Sequence, residues 1–187
     1  SSNTLVFNNV YFSEEVKFTN DMYSLMFCQL SDGTFDIDEI KKLSIYKFSK
    51  YSEEIQNFLL KKFNETITNK DLNKEDILKF LVLVLGLNDS IIRLIDNFDF
   101  TGFVPKIVIY LENENTLPES MQMILGYFHT IGIDIIIFNP SGLFNINNVI
   151  NESIVNEFRL DIMKYDSKYK ELINMKQGIF SRFLRNR

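Results

Sequence analysis

The sequence predicts an α/β protein in which a mainly helical first half precedes a parallel β-α-β (Rossmann-like) unit, with a short parallel sheet flanked by helices. Two β-branched runs, at residues 106–111 and 133–138, are separated by one helix-length segment. Residues 1–100 instead carry apolar side chains mostly at helical spacing. Only 7 Gly and 3 Pro interrupt the 187 residues, which favours long elements and short loops.

The first half begins with a strand pattern within residues 5–12 and continues with a helical pattern at 21–30. A turn is expected at residues 31–34, where Ser, Asp, Gly and Thr are clustered. The next helix should start at Asp36, because acidic residues in a first turn interact favourably with the helix dipole, and its apolar residues recur as far as Ile45.

Three more helices are predicted before residue 100. Ser52 with two glutamates opens the first of them. Asn73 and Asp76 form a capped start for the second, which Gly86 is placed to end. The third begins at Asn88 and is shorter.

The clearest pattern follows Gly102. Thr116, Pro118 and Glu119 resemble a capping box with proline in the first turn, and Gly132 is placed to end that helix. Two apolar runs joined by a single helix are typical of parallel strands buried on both faces, with a right-handed crossover. A final helix is predicted over residues 168–183.

Composition sets the class of protein. The apolar fraction is 45% and the charged fraction 24%, as in ordinary globular domains. We therefore expect one α/β domain over 1–187, with a mainly helical subregion at 1–100 and a β-α-β subregion at 101–187. The net charge of −5 argues against nucleic acid as the main partner, because phosphate binding needs clustered Lys and Arg.

The single cysteine, Cys28, rules out an internal disulfide and a cysteine-rich zinc site. Its apolar surroundings predict a buried, inert thiol. The longest apolar stretch, residues 77–87, is too short to cross a bilayer, so no stable membrane insertion is expected. The start shows no secretory signal pattern, and the expected location is a reducing cytoplasm.

A ligand site is predicted where the two strands end, because ligands of open parallel sheets bind outside the carboxyl ends of the strands. The polar residues there form two groups, which are Glu112, Asn113 and Glu114 after the first strand and Asn139, Ser141 and Gly142 after the second. The same residue types also make ordinary turns between strands and helices, so the alternative that these residues only form turns stays open.

The sequence gives little support for the common catalytic, nucleotide-binding and metal-binding motifs. It contains neither a Rossmann glycine fingerprint nor a P-loop. The lone histidine, His129, ends the crossover helix and is expected at the surface. Glu112 and Glu114 would suit Mg²⁺, but Asp134 starts its strand and should lie too far away, so no metal site and no particular cofactor is predicted.

The last residues, 175–187, are basic and amphipathic. Such a segment could touch an anionic membrane or a partner groove. The favoured interpretation is a terminal helix docked on the core.

The β-α-β segment also resembles a known family. The residues that carry the likeness are Phe103 to Tyr110 and the stretch DIIIFNPSG, residues 134–142, within a similar region of about 103–165. This region resembles the YceG-like family, a component of a biosynthetic module encoded beside bacterial tellurium-resistance and stress genes. The resemblance implies a cytoplasmic stress-response context and a chain that is the C-terminal part of a longer protein.

Two hypotheses follow. The first is a domain that binds a small anionic or nucleotide-like metabolite at 112–115 and 139–142, as part of a biosynthetic protein. The second is a non-catalytic interaction module that docks a protein partner through the helical first half or the basic tail.

Overall fold

The computed structural model describes residues 3–8, 11–13, 20–68, 72–98, 102–111, 119–140 and 156–159. Three strands and six α-helices lie in these ranges, together with a 3-10 turn at Phe48–Lys50. In chain order they are β1 (Thr4–Phe7), α1 (Asn20–Met26), α2 (Ile37–Ile40), α3 (Glu53–Thr68), α4 (Lys74–Leu85), α5 (Asp89–Asp96), β2 (Lys106–Tyr110), α6 (Glu119–Ile131) and β3 (Asp134–Phe138).

The three strands form one parallel sheet in the order β1-β2-β3. β2 is central, and its Ile107 lies between Leu5 of β1 and Ile135 of β3. The predicted parallel pairing of the two apolar runs is therefore confirmed. The sheet also gains a third strand from the beginning of the chain, some hundred residues before its partner.

The helices pack on one face of this sheet. Side chains of a strand alternate between its two faces, and Leu5, Ile107, Ile109 and Ile135 all point into the main hydrophobic core. Helices α3, α4, α5 and α6 supply much of the rest of this core, including the fully buried Tyr127, and Leu25 of α1 and Ile40 of α2 also belong to it. The described structure is thus a mixed helix and strand arrangement with a short three-stranded sheet.

Several helix ends form where the sequence predicted them. The Asn73 side chain accepts the Asp76 backbone N–H at 2.9 Å and caps α4, which Gly86 follows. Gly132 ends α6 with a φ of +96°, a left-handed value that favours glycine. In the turn at 31–34, Asp32 accepts the Thr34 N–H at 2.9 Å.

Two expectations were wrong. The helix that begins after Asp36 was expected to extend toward Ile45, but α2 ends at Ile40 and is followed by turns. The two apolar runs were expected to be buried on both faces, yet Ile136 and Phe138 of β3 are exposed, as is Val6 of β1. Tyr110 shares this face and is nevertheless buried, so the face is open only in part.

Candidate functional site

The carboxyl ends of β2 and β3 lie side by side at one edge of the sheet. Tyr110 is opposite Phe138 in the register, and the next residue, Leu111, donates its N–H to the Phe138 carbonyl at 3.0 Å. The chain segments that follow Leu111 and Phe138 therefore leave the sheet from neighbouring positions. This geometry is the one on which the predicted ligand site depends.

Of the predicted site residues, the structure describes Asn139, which directly follows β3 and is half-buried. The others, Glu112, Asn113, Glu114, Ser141 and Gly142, lie outside the described residues, as does Pro118, for which a first-turn position was predicted. The basic tail after residue 175 lies outside them too.

Aromatic side chains accompany the strand ends. The rings of Tyr110 and Phe138 are 6.3 Å apart between centroids, with a tilt of 32°. Tyr110 is buried, whereas Phe138 remains partly exposed. The exposed part of the Phe138 ring therefore offers an apolar surface next to Asn139.

The described sheet contains no reversal of strand order. Ligand crevices in open parallel sheets form where the order reverses, because crossovers on opposite faces then separate and leave a gap. The order β1-β2-β3 progresses in one direction, so the described strands supply the shared edge without a switch-point crevice.

The amino ends of β2 and β3 are joined by an ion pair. Lys106 of β2 and Asp134 of β3 form an ion pair, with Nζ and Oδ2 2.7 Å apart. Asp134 thus lies at the end of the sheet opposite to the segment that begins with residue 112. Within the described ranges no group of three His, Cys, Asp or Glu side chains could hold a metal ion.

The structure also describes the two other side chains considered for a chemical role, a histidine and a cysteine. His129 is exposed in the last turn of α6, as expected. Cys28 is buried, its Sγ is 3.5 Å from the Ser24 carbonyl oxygen, and burial raises the pKa of its thiol. Its burial confirms the prediction of a buried thiol, and a raised pKa favours the protonated, poorly nucleophilic form.

A shallow groove, which the sequence did not predict, lies at the β1 edge of the sheet. Its volume is about 410 Å³, and it is lined by Leu5, Asp89, Ser90, Arg93, Leu94 and Asn97. Lys50 reaches Asp89 with Nζ 2.6 Å from Oδ1, and this hydrogen bond lowers the pKa of the Asp89 carboxyl group. Asp89 follows Asn88, at which this helix was predicted to begin, and its position beside Leu5 could not be inferred from local sequence.

Comparison with known proteins extends the likeness found in the second half. The family described as "YceG domain" matches residues 1–172. The chain belongs to the YceG domain family. The family match also includes the first half, for which the sequence motifs gave no indication.

A curated relative carries the same family name. The "Uncharacterized protein YceG" of Bacillus subtilis (strain 168) is 27% identical over 168 residues, which cover 86% of this chain and 31% of the relative. The chain therefore spans about a third of the length of that YceG protein. No solved structure matches the chain.

None of the described helices is both long and apolar enough to cross a bilayer.

Proposed function

We propose that this YceG domain binds a small anionic or nucleotide-like metabolite at the carboxyl ends of β2 and β3. The observation that carries the proposal is the parallel register of the two strands, which ends with Tyr110 opposite Phe138. Polar residues follow both strands at once, with Glu112–Asn115 after β2 and Asn139–Gly142 after β3. Two polar segments leaving one edge can contact a single ligand from two sides.

Each predicted residue type has a chemical role in such a site. A carboxylate such as Glu112 or Glu114 accepts hydrogen bonds from sugar hydroxyls or base amino groups. The Asn139 amide both donates and accepts, and its half-buried position limits competition from water. The backbone N–H groups of Ser141 and Gly142 can donate to a phosphate oxygen.

The wider setting is part of the same proposal. The family likeness supports a role in a cytoplasmic, bacterial stress-response protein with a biosynthetic function, in the context of tellurium resistance. The parallel sheet supports a Rossmann-like arrangement within a single domain, with the described residues forming part of a longer chain.

Thermal unfolding with a panel of nucleotides tests the proposal. A ligand that binds the native state should raise the melting temperature of the wild-type chain. The shift should vanish in Asn139→Ala and persist in Asn97→Ala, a matched control that removes an amide from the β1 groove. Loss in Asn97→Ala alone would place the ligand in the groove, and no shift with any nucleotide would contradict nucleotide-like binding.

A second candidate function is a non-catalytic interaction module. Tyr23, Met26, Phe27 and Leu30 recur at helical spacing along α1 and the turn after it, and all four are exposed, with Phe27 at 88%. Exposed apolar stripes of this kind are typical of surfaces that bind other proteins.

The two hypotheses for a protein partner are separated by pull-down with three chains. If α1 carries the interaction, Phe27→Ser should lose a partner that the wild type and a chain lacking residues 176–187 both retain. The opposite pattern would assign the interaction to the basic tail. An unchanged set of partners in both variants would contradict this second function.

A further inference from the structure

The outer side of α1 and of the turn after it is apolar. Four exposed side chains form what we call the α1 stripe, namely Tyr23, Met26, Phe27 and Leu30. The inner side of the same segment is anchored in the core, because Leu25 is fully buried and Cys28 nearly so, and α1 packs on α4. The exposed side chains therefore stand on a segment that its own buried residues hold in place.

Carboxylates border the α1 stripe. The chain turns back after Leu30, whose N–H donates to the Thr34 carbonyl at 2.8 Å, and the Asp36 N–H donates to the Cys28 carbonyl at 2.8 Å. Burial and, after it, the charges of Glu39 and Asp36 raise the pKa of the Cys28 thiol, so these carboxylates act on the segment that carries the stripe. Four acidic residues lie in this returning chain, and they are Asp32, Asp36, Asp38 and Glu39.

Two lysines follow these carboxylates but leave most of their charge uncompensated. Lys42 forms an ion pair with Glu39. Lys41 turns instead toward α3, where its Nζ is 2.6 Å from the Asn57 side-chain oxygen. Asp38 is exposed on α2. The apolar stripe therefore has a border that is negatively charged overall.

We propose that the α1 stripe binds a basic amphipathic helix of a protein partner. This inference rests on the second proposed function and specifies its partner. Apolar residues of the stripe recur at positions i, i+3, i+4 and i+7, the spacing at which side chains of one helix pack into the grooves of another. Lys and Arg at the edge of the partner's apolar side would then lie beside the acidic border, where opposite charges speed association and select the partner.

The same border disfavours two other occupants of the stripe. A second copy of this chain, docked stripe to stripe, would bring two acidic borders together, and like charges facing each other across an interface are unfavourable. An anionic membrane surface attracts Lys and Arg, so it would be repelled by these carboxylates. Charge therefore selects a basic protein segment among the surfaces that could cover apolar side chains.

Fluorescence anisotropy with two labelled helical peptides tests the proposal on the full chain. One peptide has Leu along one side and Lys elsewhere, and the other has Glu in place of Lys. The chain should bind the Leu/Lys peptide about tenfold or more tightly than the Leu/Glu peptide. Phe27→Ser should weaken Leu/Lys binding by about tenfold. Phe103→Ser, which removes an aromatic ring of similar exposure before β2, should leave it unchanged.

A pair of charge reversals tests the acidic border separately. Asp38→Lys should weaken Leu/Lys binding by about threefold or more, because an attraction is replaced by a repulsion. Asp96→Lys reverses an exposed carboxylate of α5 and should change binding by less than about twofold. Equal effects of the two reversals would overturn the role of the border.

The outcomes separate this inference from the function on which it rests. Equal binding of both peptides, lost in Phe27→Ser, would overturn the basic partner but keep α1 as a protein-binding surface. Peptide binding that Phe27→Ser leaves unchanged, or no binding of either peptide, would overturn the inference, and the pull-down would then decide the second function alone. Self-association of the wild-type chain in sedimentation, abolished by Phe27→Ser, would identify a second copy as the occupant and overturn the proposal.

Discussion

The hydroxyl group of Tyr127 connects the crossover helix to the helical half of the molecule. Tyr127 is fully buried in α6, and its hydroxyl donates to the Leu59 carbonyl of α3 at 2.8 Å. Tyr127→Phe removes this hydrogen bond but retains the ring and its edge contact with Phe80 at 5.9 Å. Because Leu59 lies inside a helix, its carbonyl keeps the backbone amide four residues on as a partner.

The expected loss in the free energy of unfolding follows from this hydrogen-bond geometry. A hydrogen bond whose acceptor keeps a second partner contributes about 0.5–1.5 kcal/mol, so Tyr127→Phe should lower the free energy of unfolding by about 1 kcal/mol. Tyr127→Ala should lower it by about 3–5 kcal/mol, because the lost ring leaves a cavity. Tyr23→Phe, at an exposed position of α1, should stay within about 0.5 kcal/mol of wild type.

Urea unfolding followed by circular dichroism measures all three variants. Tyr127→Phe should shift the midpoint of unfolding at unchanged slope. A change no larger than that of Tyr23→Phe would show that the hydroxyl bond between α6 and α3 contributes nothing. A loss as large as that of Tyr127→Ala would show that the ring contacts do not survive the substitution.

Three further predictions concern local features. Asn73→Ala should lower the free energy of unfolding by about 1 kcal/mol in calorimetry, because α4 loses its N-cap, and an unchanged value would contradict the capping role. Gly132→Ala should lower the free energy of unfolding by about 1–2 kcal/mol. The positive φ alone causes this loss, since an added Cβ meets nothing within 4 Å, and Gly132→Asn should cause a smaller loss. Burial raises the pKa of Tyr46 to about 12, above the ordinary value near 10. Its contribution to stability is thus complete below pH of about 10 and lost as pH rises to about 12, a trend that Tyr46→Phe should weaken in alkaline unfolding curves.

Features governed by neighbouring residues could be predicted from the sequence. The cap at Asn73, the end of α4 at Gly86 and the end of α6 at Gly132 all depend on contacts within one turn of chain. The parallel pair β2 and β3 was predictable because one helix of the right length joins two β-branched runs. These are the parts of the fold in which spacing along the chain determines geometry.

Features governed by distant residues could not be predicted. The strand at Thr4–Phe7 was indicated, but its place beside β2 depends on a partner about a hundred residues away. The exposure of Ile136 depends on which face receives the helices, and a β-branched run looks the same in either case. The groove beside Asp89 forms only because α5 packs on β1, so the local sequence carried no sign of it.

The proposed ligand site depends on β2 and β3 running in the same direction and ending at one edge of the sheet. Disulfide formation tests this arrangement directly in a Cys28→Ser background. Lys106→Cys with Asp134→Cys places two exposed thiols at paired positions, about 4.8 Å apart between Cα atoms, within the range that a disulfide spans. Lys106→Cys with Phe138→Cys is the matched control, because position 138 is four residues farther along β3, about 13 Å away. If the strands are parallel, mild oxidation closes the 106–134 pair and leaves the 106–138 pair reduced, whereas closure of the 106–138 pair alone would show antiparallel strands and contradict the shared edge.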